Sequence, residues 1–387
     1  MPIFNDVAQA IQSIFSEETD QLAKKMGFIK RERKVTGSRF IKTLLFSWMQ
    51  NKSPSVEGLA RAGFTHNLEI SAQGLTKRFT PESSHFVRCV LEKALTKVVR
   101  SSVVNIEILN RFSAVYVADC SKIALPDALN ETWQGTGGRG TMSKAGLKVD
   151  ASMELKTGEL QFGLLHGKHS DNKSPIAEQK YEKGVLHLRD LGYFKLSRMK
   201  AQSEGNEYWL SRLQPRTKIF DKNLQAIDLY KYLKEKSQHC NQFEINVMIG
   251  AEAHVQARLI CCKLNKESAN RRRAKLNKNS NKQGRKPSAK ILALCNWNLF
   301  VTNVEKEKLN IDECLVLYRV RWQIELLFKL WKSQCKLVDS RSKNPHRILC
   351  EIYIKLLVVL VQHWIILTGL WAIPERSLVK GMQMIRE

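Results

Sequence analysis

The spacing of apolar positions over residues 1–110 predicts a helical region. Across Asn5–Lys25 apolar side chains recur every three or four positions, as on one face of a helix. Shorter helices are predicted at Pro54–Ala60 and at Asn67–Phe79, and the second of them carries Lys77 and Arg78. A helix, a turn and a basic helix are typical of a helix-turn-helix, whose second helix enters the major groove of DNA. An ordinary helical hairpin with a solvated basic face fits the pattern equally well.

Beyond residue 113 the apolar pattern changes to that of β-strands. Compact apolar runs predict strands at Ala114–Ala118 and Val185–Asp190. Apolar and polar positions alternate over Leu147–Leu155 and Leu160–His166, and the turn between them predicts an antiparallel hairpin. A helix and a further strand are predicted over residues 196–208 and 208–213. The fold class is therefore α/β, with a sheet that has an antiparallel edge.

Residues 217–300 interrupt this alternation. Strand-like runs at 242–249 and 255–264 precede a strongly basic segment, Lys263–Lys290, which contains a single acid, Glu267. Such a run predicts a mobile, solvated loop, and beside nucleic acid it would act as an arm that tracks phosphates. Its centre is three consecutive arginines: Arg271, Arg272 and Arg273. Strand character returns over Leu292–Val301, so the region looks like a β-rich insertion into the α/β core.

The pattern predicts four regions. Residues 1–110 form a helical, helix-turn-helix-like DNA-binding region, and residues 111–216 form the first part of the α/β core. Residues 217–300 are the insertion with its basic arm, and residues 301–387 contain strongly helical stretches at 312–336 and 348–371. The most apolar stretch, Ile354–Trp371, is interrupted by polar residues and is short for a bilayer, which needs about 20 residues. It therefore predicts a buried helix, with no membrane partner.

The charge balance indicates the class of partner. The chain has 63 lysines and arginines against 37 acids, a formal net charge of +26. An excess of this size favours a polyanion, and nucleic acid is the commonest one. With 43% hydrophobic residues the chain is also a globular protein with a substantial core.

Two acids occupy equivalent places in the predicted sheet. Asp119 and Asp190 each follow a strand-like run. If these two strands are adjacent and parallel, both carboxylates emerge at one edge of the sheet, where open α/β folds place their sites. With a third acid from a helix packed on the sheet, they would suit Mg²⁺ or Mn²⁺. Each aspartate alone is also compatible with an ordinary turn after a strand.

A helical stretch near the end of the chain contains a stripe of functional groups. Tyr318, Arg321, Glu325 and Lys332 fall within roughly a 60° arc of a regular helix at about 100° per residue. A carboxylate ligand flanked by phosphate-binding cations on a rigid helix suits phosphoryl transfer. A salt-bridged amphipathic face is the alternative, because Arg321 and Glu325 are spaced i, i+4.

The same residues resemble a known signature. Tyr318-x2-Arg321-x3-Glu325-x6-Lys332 is similar at every position to the Y-x2-R-x3-E-x6-K pattern of bacterial insertion-sequence DDE transposases of the family named for insertion sequence four. Members also have Asp followed two residues later by Ser or Thr, and then Asp-x-Gly-aromatic. Here these motifs are matched by Asp119-Cys-Ser and by Asp190-Leu-Gly-Tyr, in the family's order.

The resemblance implies both a fold and an activity. The fold would be a ribonuclease-H-like catalytic core interrupted by the β-rich insertion, with Asp119, Asp190 and Glu325 binding Mg²⁺ or Mn²⁺. Tyr318, Arg321 and Lys332 would contact DNA phosphates near the cleaved end. The activity would be cut-and-paste transposition, in which transposon ends are cleaved through a hairpin intermediate and joined to target DNA. The partners would be double-stranded DNA and a second copy of the chain, in the bacterial cytoplasm at the nucleoid.

Two tryptophans extend the resemblance. Trp297 lies at the end of the insertion, where hairpin-forming members have a tryptophan that stacks on a flipped base. The alternative is a core tryptophan on a strand. Trp322, beside Arg321, also matches a family tryptophan, and either packing or DNA contact would explain it.

Two other functions remain open on the sequence. A metal-dependent nuclease could have the same core without strand transfer. A transposase-derived DNA-binding regulator could keep the DNA contacts without chemistry, although the presence of all three acids favours an enzyme.

Overall fold

The computed structural model describes residues 2–31, 34–137, 143–174, 176, 181–282, 284, 286–340, 342–369, 371, 381 and 384. The helices are α1 (Pro2–Ile14), α2 (Glu17–Lys25), α3 (Gly37–Gln50), α4 (Val56–Thr65), α5 (Ala72–Thr76), α6 (Pro81–Leu95), α7 (Glu107–Asn110), α8 (Leu196–Glu204), α9 (Leu229–Lys236), α10 (Lys266–Lys282), α11 (Ala289–Leu294), α12 (Ile311–Val320), α13 (Trp322–Gln334) and α14 (Pro345–Gly369). The strands are β1 (Val115–Leu125), β2 (Ala145–Glu154), β3 (Leu160–His166), β4 (Leu186–Arg189), β5 (Tyr208–Arg212), β6 (Ile219–Phe220), β7 (Gln242–Ile249), β8 (Val255–Lys263) and β9 (Trp297–Thr302). The α/β fold class is confirmed.

These strands form one sheet in the order β3-β2-β1-β4-β5-β9-β8-β7-β6. The predicted hairpin is confirmed, because β2 and β3 pair antiparallel. At the centre of the sheet β1, β4 and β5 run parallel to one another. The remaining strands on the far side pair antiparallel. The sheet therefore has a parallel centre with its carboxyl ends at one edge, between two antiparallel wings.

The predicted insertion continues the central sheet. Strand β9 pairs with β5 on one side and with β8 on the other. The expected loop over Lys263–Lys290 is wrong for residues 266–282, which form helix α10. Most of its side chains favour helix formation, and Ala269 is buried against the sheet. The strand expected over Leu292–Val301 begins only at Trp297, after the short helix α11.

Helix α14 is the central helix of the helical layer. It packs against α1, α3 and α6, and one continuous core joins these helices to a face of the sheet. By length and composition it could cross a membrane, but 94% of its apolar window is buried inside the protein. The predicted buried helix is therefore confirmed. Its polar residues have internal partners: Lys355 Nζ donates to the backbone carbonyls of Lys336 and Asp339.

His363 of α14 makes stability sensitive to acid. Its Nε2 lies 2.7 Å from the carbonyl oxygen of Gly158 and must donate to it. Burial lowers the pKa of His363 from 6.5 to about 4. Between these values the unfolded chain binds a proton that the native state excludes. The free energy of unfolding should therefore fall as pH drops from 6.5 to 4, by about 3 kcal/mol from this residue.

The measurement is urea unfolding at several pH values. His363→Gln keeps an N–H donor and removes the titration, so its stability should decline less steeply between pH 6.5 and 4. His239 is exposed, and His239→Gln should keep the wild-type slope. Equal slopes in the two variants would contradict the assignment.

Candidate active site

Two aspartates stand side by side at the carboxyl edge of the sheet. Strands β1 and β4 are parallel neighbours, and Ala118 is the Cα partner of Arg189. Asp119 directly follows Ala118, and Asp190 directly follows Arg189. Because adjacent strands lie about 4.8 Å apart, the register places the two residues next to each other, as the sequence predicted for adjacent parallel strands.

Helix α13 brings Glu325 to the same place. The helix packs on β1 and β2, over the sheet face where Val117 is buried in the core. Asp119 continues the alternation from Val117 and faces the same side. Burial raises the pKa of Asp119 to about 6, the charges of Glu325 and Asp190 add to the rise, and Arg321 opposes it. The three carboxylates are therefore within electrostatic reach of one another.

Arg321 lies among these acids. Its Nη2 donates to Glu325 Oε1 at 2.5 Å, and its side chain is 8% exposed. Its Nε and Nη1 are buried, with no hydrogen-bond partner among the described residues. Asp190 and Glu325 both stabilise its charged form. One buried guanidinium thus supplies positive charge to a cluster of three carboxylates.

The donor chemistry of the cluster suits a hard divalent cation, because carboxylate oxygens are the ligands that Mg²⁺ and Mn²⁺ prefer. In this arrangement, however, Glu325 is engaged by Arg321. Within the described part of the chain, no group of three His, Cys, Asp or Glu side chains is disposed to hold a metal ion. Asp119, Asp190 and Glu325 are the residues that could bind such an ion once Glu325 is released.

The helical stretch predicted over residues 312–336 is confirmed, with one irregular residue, Arg321, which keeps helical backbone angles (φ −49°, ψ −29°). Helix α12 ends at Val320 and α13 begins at Trp322. At the junction the amide of Ile324 bonds to the carbonyl of Arg321 at 3.3 Å, a tighter i→i+3 turn. Arg321 and Glu325 nevertheless lie on one side of the helix, because they form an i, i+4 ion pair.

Tyr318 is buried beneath this cluster, and Lys332 is exposed on α13. The Tyr318 hydroxyl donates to Asp190 Oδ1 at 3.4 Å, and its ring packs on Phe300 with centroids 4.7 Å apart. Burial raises the pKa of Tyr318 to about 12. The phenol is therefore a neutral hydrogen-bond donor at Asp190.

Arg212 is a residue that the sequence reasoning missed. It ends β5, the next parallel strand after β4, so it reaches the same carboxyl edge as Asp190. Its guanidinium lies 5.7 Å from the Tyr318 ring centroid, and that of Arg321 lies 5.6 Å from the same ring. Two cations thus flank Tyr318. The strand predicted over residues 208–213 contains Arg212 near its carboxyl end, so a search for functional side chains at the end of that strand would have identified it.

A polar network on the opposite face of the sheet supports Asp190. Asp150 is fully buried on β2 and accepts hydrogen bonds from the Tyr193 hydroxyl and the Ser174 hydroxyl. Tyr193 ends the one-turn 3-10 helix that begins just after Asp190. The network therefore fixes the turn that holds Asp190. No motif distinguished Asp150 in the sequence.

Trp297 is buried, as its alternative role as a core residue predicts, and its expected role in base stacking stays a prediction. Its side chain is 6% exposed, and it belongs to the second hydrophobic core, under the far half of the sheet. The Phe243 ring packs against it edge to face, with centroids 5.7 Å apart. Trp322 differs, because it is 47% exposed and Lys329 Nζ lies 4.3 Å from its ring.

Two of the three central arginines bind within the protein. Arg272 donates to the Trp297 carbonyl at 2.9 Å and to the Asn298 side chain. Arg273 donates to Asn296 Oδ1 at 2.5 Å. These contacts fasten α10 to the start of β9, which corrects the expectation of an arm formed by all three arginines. Arg271 is exposed and pairs with Glu267.

The region predicted to be a helix-turn-helix contains two short helices, and its role in DNA binding stays a prediction. Helix α4 is followed by α5, which covers Ala72–Thr76 and is far shorter than the predicted Asn67–Phe79. Lys77 is exposed at the end of α5, and Arg78 is half-buried. Both line an open cleft of about 1020 Å³ that is rich in cations. The other basic residues of this cleft are Lys30, Arg31 and Lys34.

Asp119 and Asp190 follow adjacent parallel strands, and Glu325 lies on a helix packed on the same sheet, which is the arrangement that the resemblance to DDE transposases predicts. The sequence profile described as the transposase DDE domain matches residues 111–361. The chain therefore belongs to the DDE transposase family, whose members act in the transposition of DNA.

Relatives extend the similarity over most of the chain. The transposase of insertion sequence element IS231F from Bacillus thuringiensis subsp. israelensis is 26% identical over 381 residues, which cover 92% of this chain and 78% of that protein. The transposase of IS1151 from Clostridium perfringens is 25% identical over 386 residues, 94% of this chain and 81% of that protein. A putative transposase InsL of IS186A from Escherichia coli K12 is 33% identical over 140 residues, 35% of this chain and 38% of that protein.

Proposed function

We propose that the protein cleaves the ends of an insertion sequence and joins them to target DNA by a cut-and-paste route with a hairpin intermediate. The observation that carries this proposal is the placement of Asp119 and Asp190 side by side at one sheet edge, with the helix of Glu325 packed on β1. The Y-x2-R-x3-E-x6-K residues around Glu325 support placement in the family of insertion sequence four.

The three carboxylates would bind Mg²⁺ or Mn²⁺, which when bound activates the attacking hydroxyl and stabilises charge on the phosphate and the leaving oxygen. No side chain in the cluster is needed as a covalent nucleophile. Ser121 is buried on β1, and its proposed role is local hydrogen bonding near Asp119.

The surrounding side chains would hold the scissile phosphate. Arg321 has two buried nitrogens without partners among the described residues, so a phosphate oxygen gives it acceptors that the protein does not supply. Binding of DNA would thereby draw Arg321 away from Glu325 and free that carboxylate. Arg212, whose guanidinium also lies close to the Tyr318 ring, and the exposed Lys332 would position adjacent phosphates.

The partners follow from this chemistry. Joining both ends of an element at one target requires two active sites, so a homodimer is proposed for the complex that pairs the ends. The net charge of +26 supports binding to double-stranded DNA. We place this activity in the bacterial cytoplasm, at the nucleoid.

Strand transfer is the deciding assay. The purified protein is incubated with Mg²⁺, a supercoiled plasmid and a labelled duplex ending in the inverted repeat that flanks its gene. A transposase should produce plasmid carrying the joined label, besides nicked, hairpin and double-cut fragments. A nuclease would produce cleavage without joined label, and a DNA-binding regulator would shift the duplex without cutting it. Either of these results would contradict the proposal.

A further inference from the structure

Helix α10 is attached to the edge of the sheet that holds the acids. Its anchors, Arg272 and Arg273, bind residues 296–298 at the start of β9. Because β9 runs antiparallel to β5, with Phe300 opposite Arg212, the start of β9 lies at the carboxyl end of β5. Strand β9 is two positions from β4 in the sheet, about 10 Å at the usual strand spacing. The helix is therefore held near Asp190.

The side of α10 away from these anchors carries a row of cations. Arg271, Lys275 and Lys278 follow one another at i, i+4 and i+7, within about 60° of arc and about 10 Å of helix length. All three are exposed. In the described part of the chain Lys275 and Lys278 have no ion-pair partner, while Arg271 pairs with Glu267. We name these three cations the α10 stripe.

We infer that the α10 stripe is a docking surface for the phosphate backbone of duplex DNA next to the cleavage site. The inference rests on the proposed function for the identity of its partner. Charge complementarity supports this docking surface. Cations in one row repel one another, and a polyanion bound along the row would relieve that repulsion. A row about 10 Å long covers about three phosphates of one strand, at about 3.4 Å of duplex axis per nucleotide.

The anchoring of α10 makes this surface rigid. The interior face of the helix is fixed by Ala269, which is buried, and by the hydrogen bonds of Arg272 and Arg273. A loop would pay conformational entropy on binding DNA, whereas a fixed helix presents its cations in place. The stripe should therefore set where the duplex lies relative to Asp190.

The test compares matched charge removals. Lys275→Gln/Lys278→Gln removes two stripe cations. Lys218→Gln/Lys222→Gln is the control, since these exposed lysines flank β6, the last strand of the sheet, away from the carboxyl edge. The stripe variant should bind duplex DNA about 10- to 30-fold more weakly at physiological salt, with the log–log salt slope smaller by about two. The loss should be equal for terminal-repeat and unrelated duplexes, because phosphate contacts do not read sequence.

A third variant should change DNA affinity in the opposite direction. Glu267→Gln frees Arg271 and removes the only acid of α10, so affinity should rise and the salt slope should steepen by up to about one. All variants should keep the wild-type melting temperature, because the three stripe side chains are exposed.

Wild-type affinity and salt slope in the stripe variant would overturn the inference, as would an equal loss in the control. Such a result leaves cleavage and strand transfer by the wild-type protein intact, so it does not touch the proposed function. Failure of the proposed function would show instead as a wild-type protein that neither cuts nor joins DNA.

Discussion

Replacing Asp119 or Asp190 by asparagine, or Glu325 by glutamine, is expected to reduce metal-dependent strand cleavage by at least about a thousandfold. A metal ion contributes several kcal/mol of transition-state stabilisation, and each 1.36 kcal/mol corresponds to about a factor of ten in rate. The amides preserve size and shape, so folding should be retained. DNA affinity should be unchanged or higher, because each change removes a negative charge that faces the phosphates.

The measurement pairs a cleavage gel with a binding titration on the same duplex. Asp312→Asn is the matched control, because Asp312 is an exposed acid on α12 that lies outside the carboxylate cluster. It should cleave at the wild-type rate. Near-wild-type cleavage by any of the three amide variants would remove that residue from the metal site.

Trp297→Ala is expected to destabilise the protein by about 3–5 kcal/mol, the usual cost of truncating a buried tryptophan. The indole fills the core under the far half of the sheet and meets the edge of Phe243. Nicking, hairpin formation and strand transfer should therefore all decline together with the melting temperature. Trp322→Ala, at a site 47% exposed, should leave the melting temperature nearly unchanged.

Thermal unfolding measured beside a gel that resolves nicked, hairpin and double-cut products distinguishes the two roles of Trp297. A Trp297→Ala protein with wild-type stability, normal nicking and slow hairpin formation would contradict the core assignment and restore base stacking. A selective hairpin defect in Trp322→Ala would instead assign stacking to the exposed tryptophan on α13.

The central sheet could be predicted from the sequence because its signals are local. Alternation over residues 147–155 and 160–166 predicted the β2–β3 hairpin, which the structure confirms. Asp119 and Asp190 were identified because each follows a strand-like run, and the register then placed them side by side. Fixed spacing in the helical stretch around Glu325 identified the third acid, and the structure confirms that this stretch is helical.

Other features depend on contacts that no local pattern records. The basic segment was predicted to be a loop because charge dominates its composition, whereas the bonds of Arg272 and Arg273 to residues 296–298 hold it as a helix. Asp150 and Arg212 belong to no motif. They lie near the two aspartates only because β2 and β5 are neighbours of β1 and β4 in the sheet. Trp297 fits a surface or a core role equally until its neighbours are known.

The position of β9 also constrains how the chain folds. Asn303, just after β9, bonds the carbonyl of Glu207, 96 residues earlier in the chain. Contacts so distant in sequence form late and slow folding, and until β9 arrives the outer edge of β5 is unpaired and open to association with other chains. Deleting residues 217–300 would remove most of β9 and leave that edge exposed. A chain shortened in this way should therefore aggregate, because residues 217–300 supply most of the strand that pairs with the outer edge of β5.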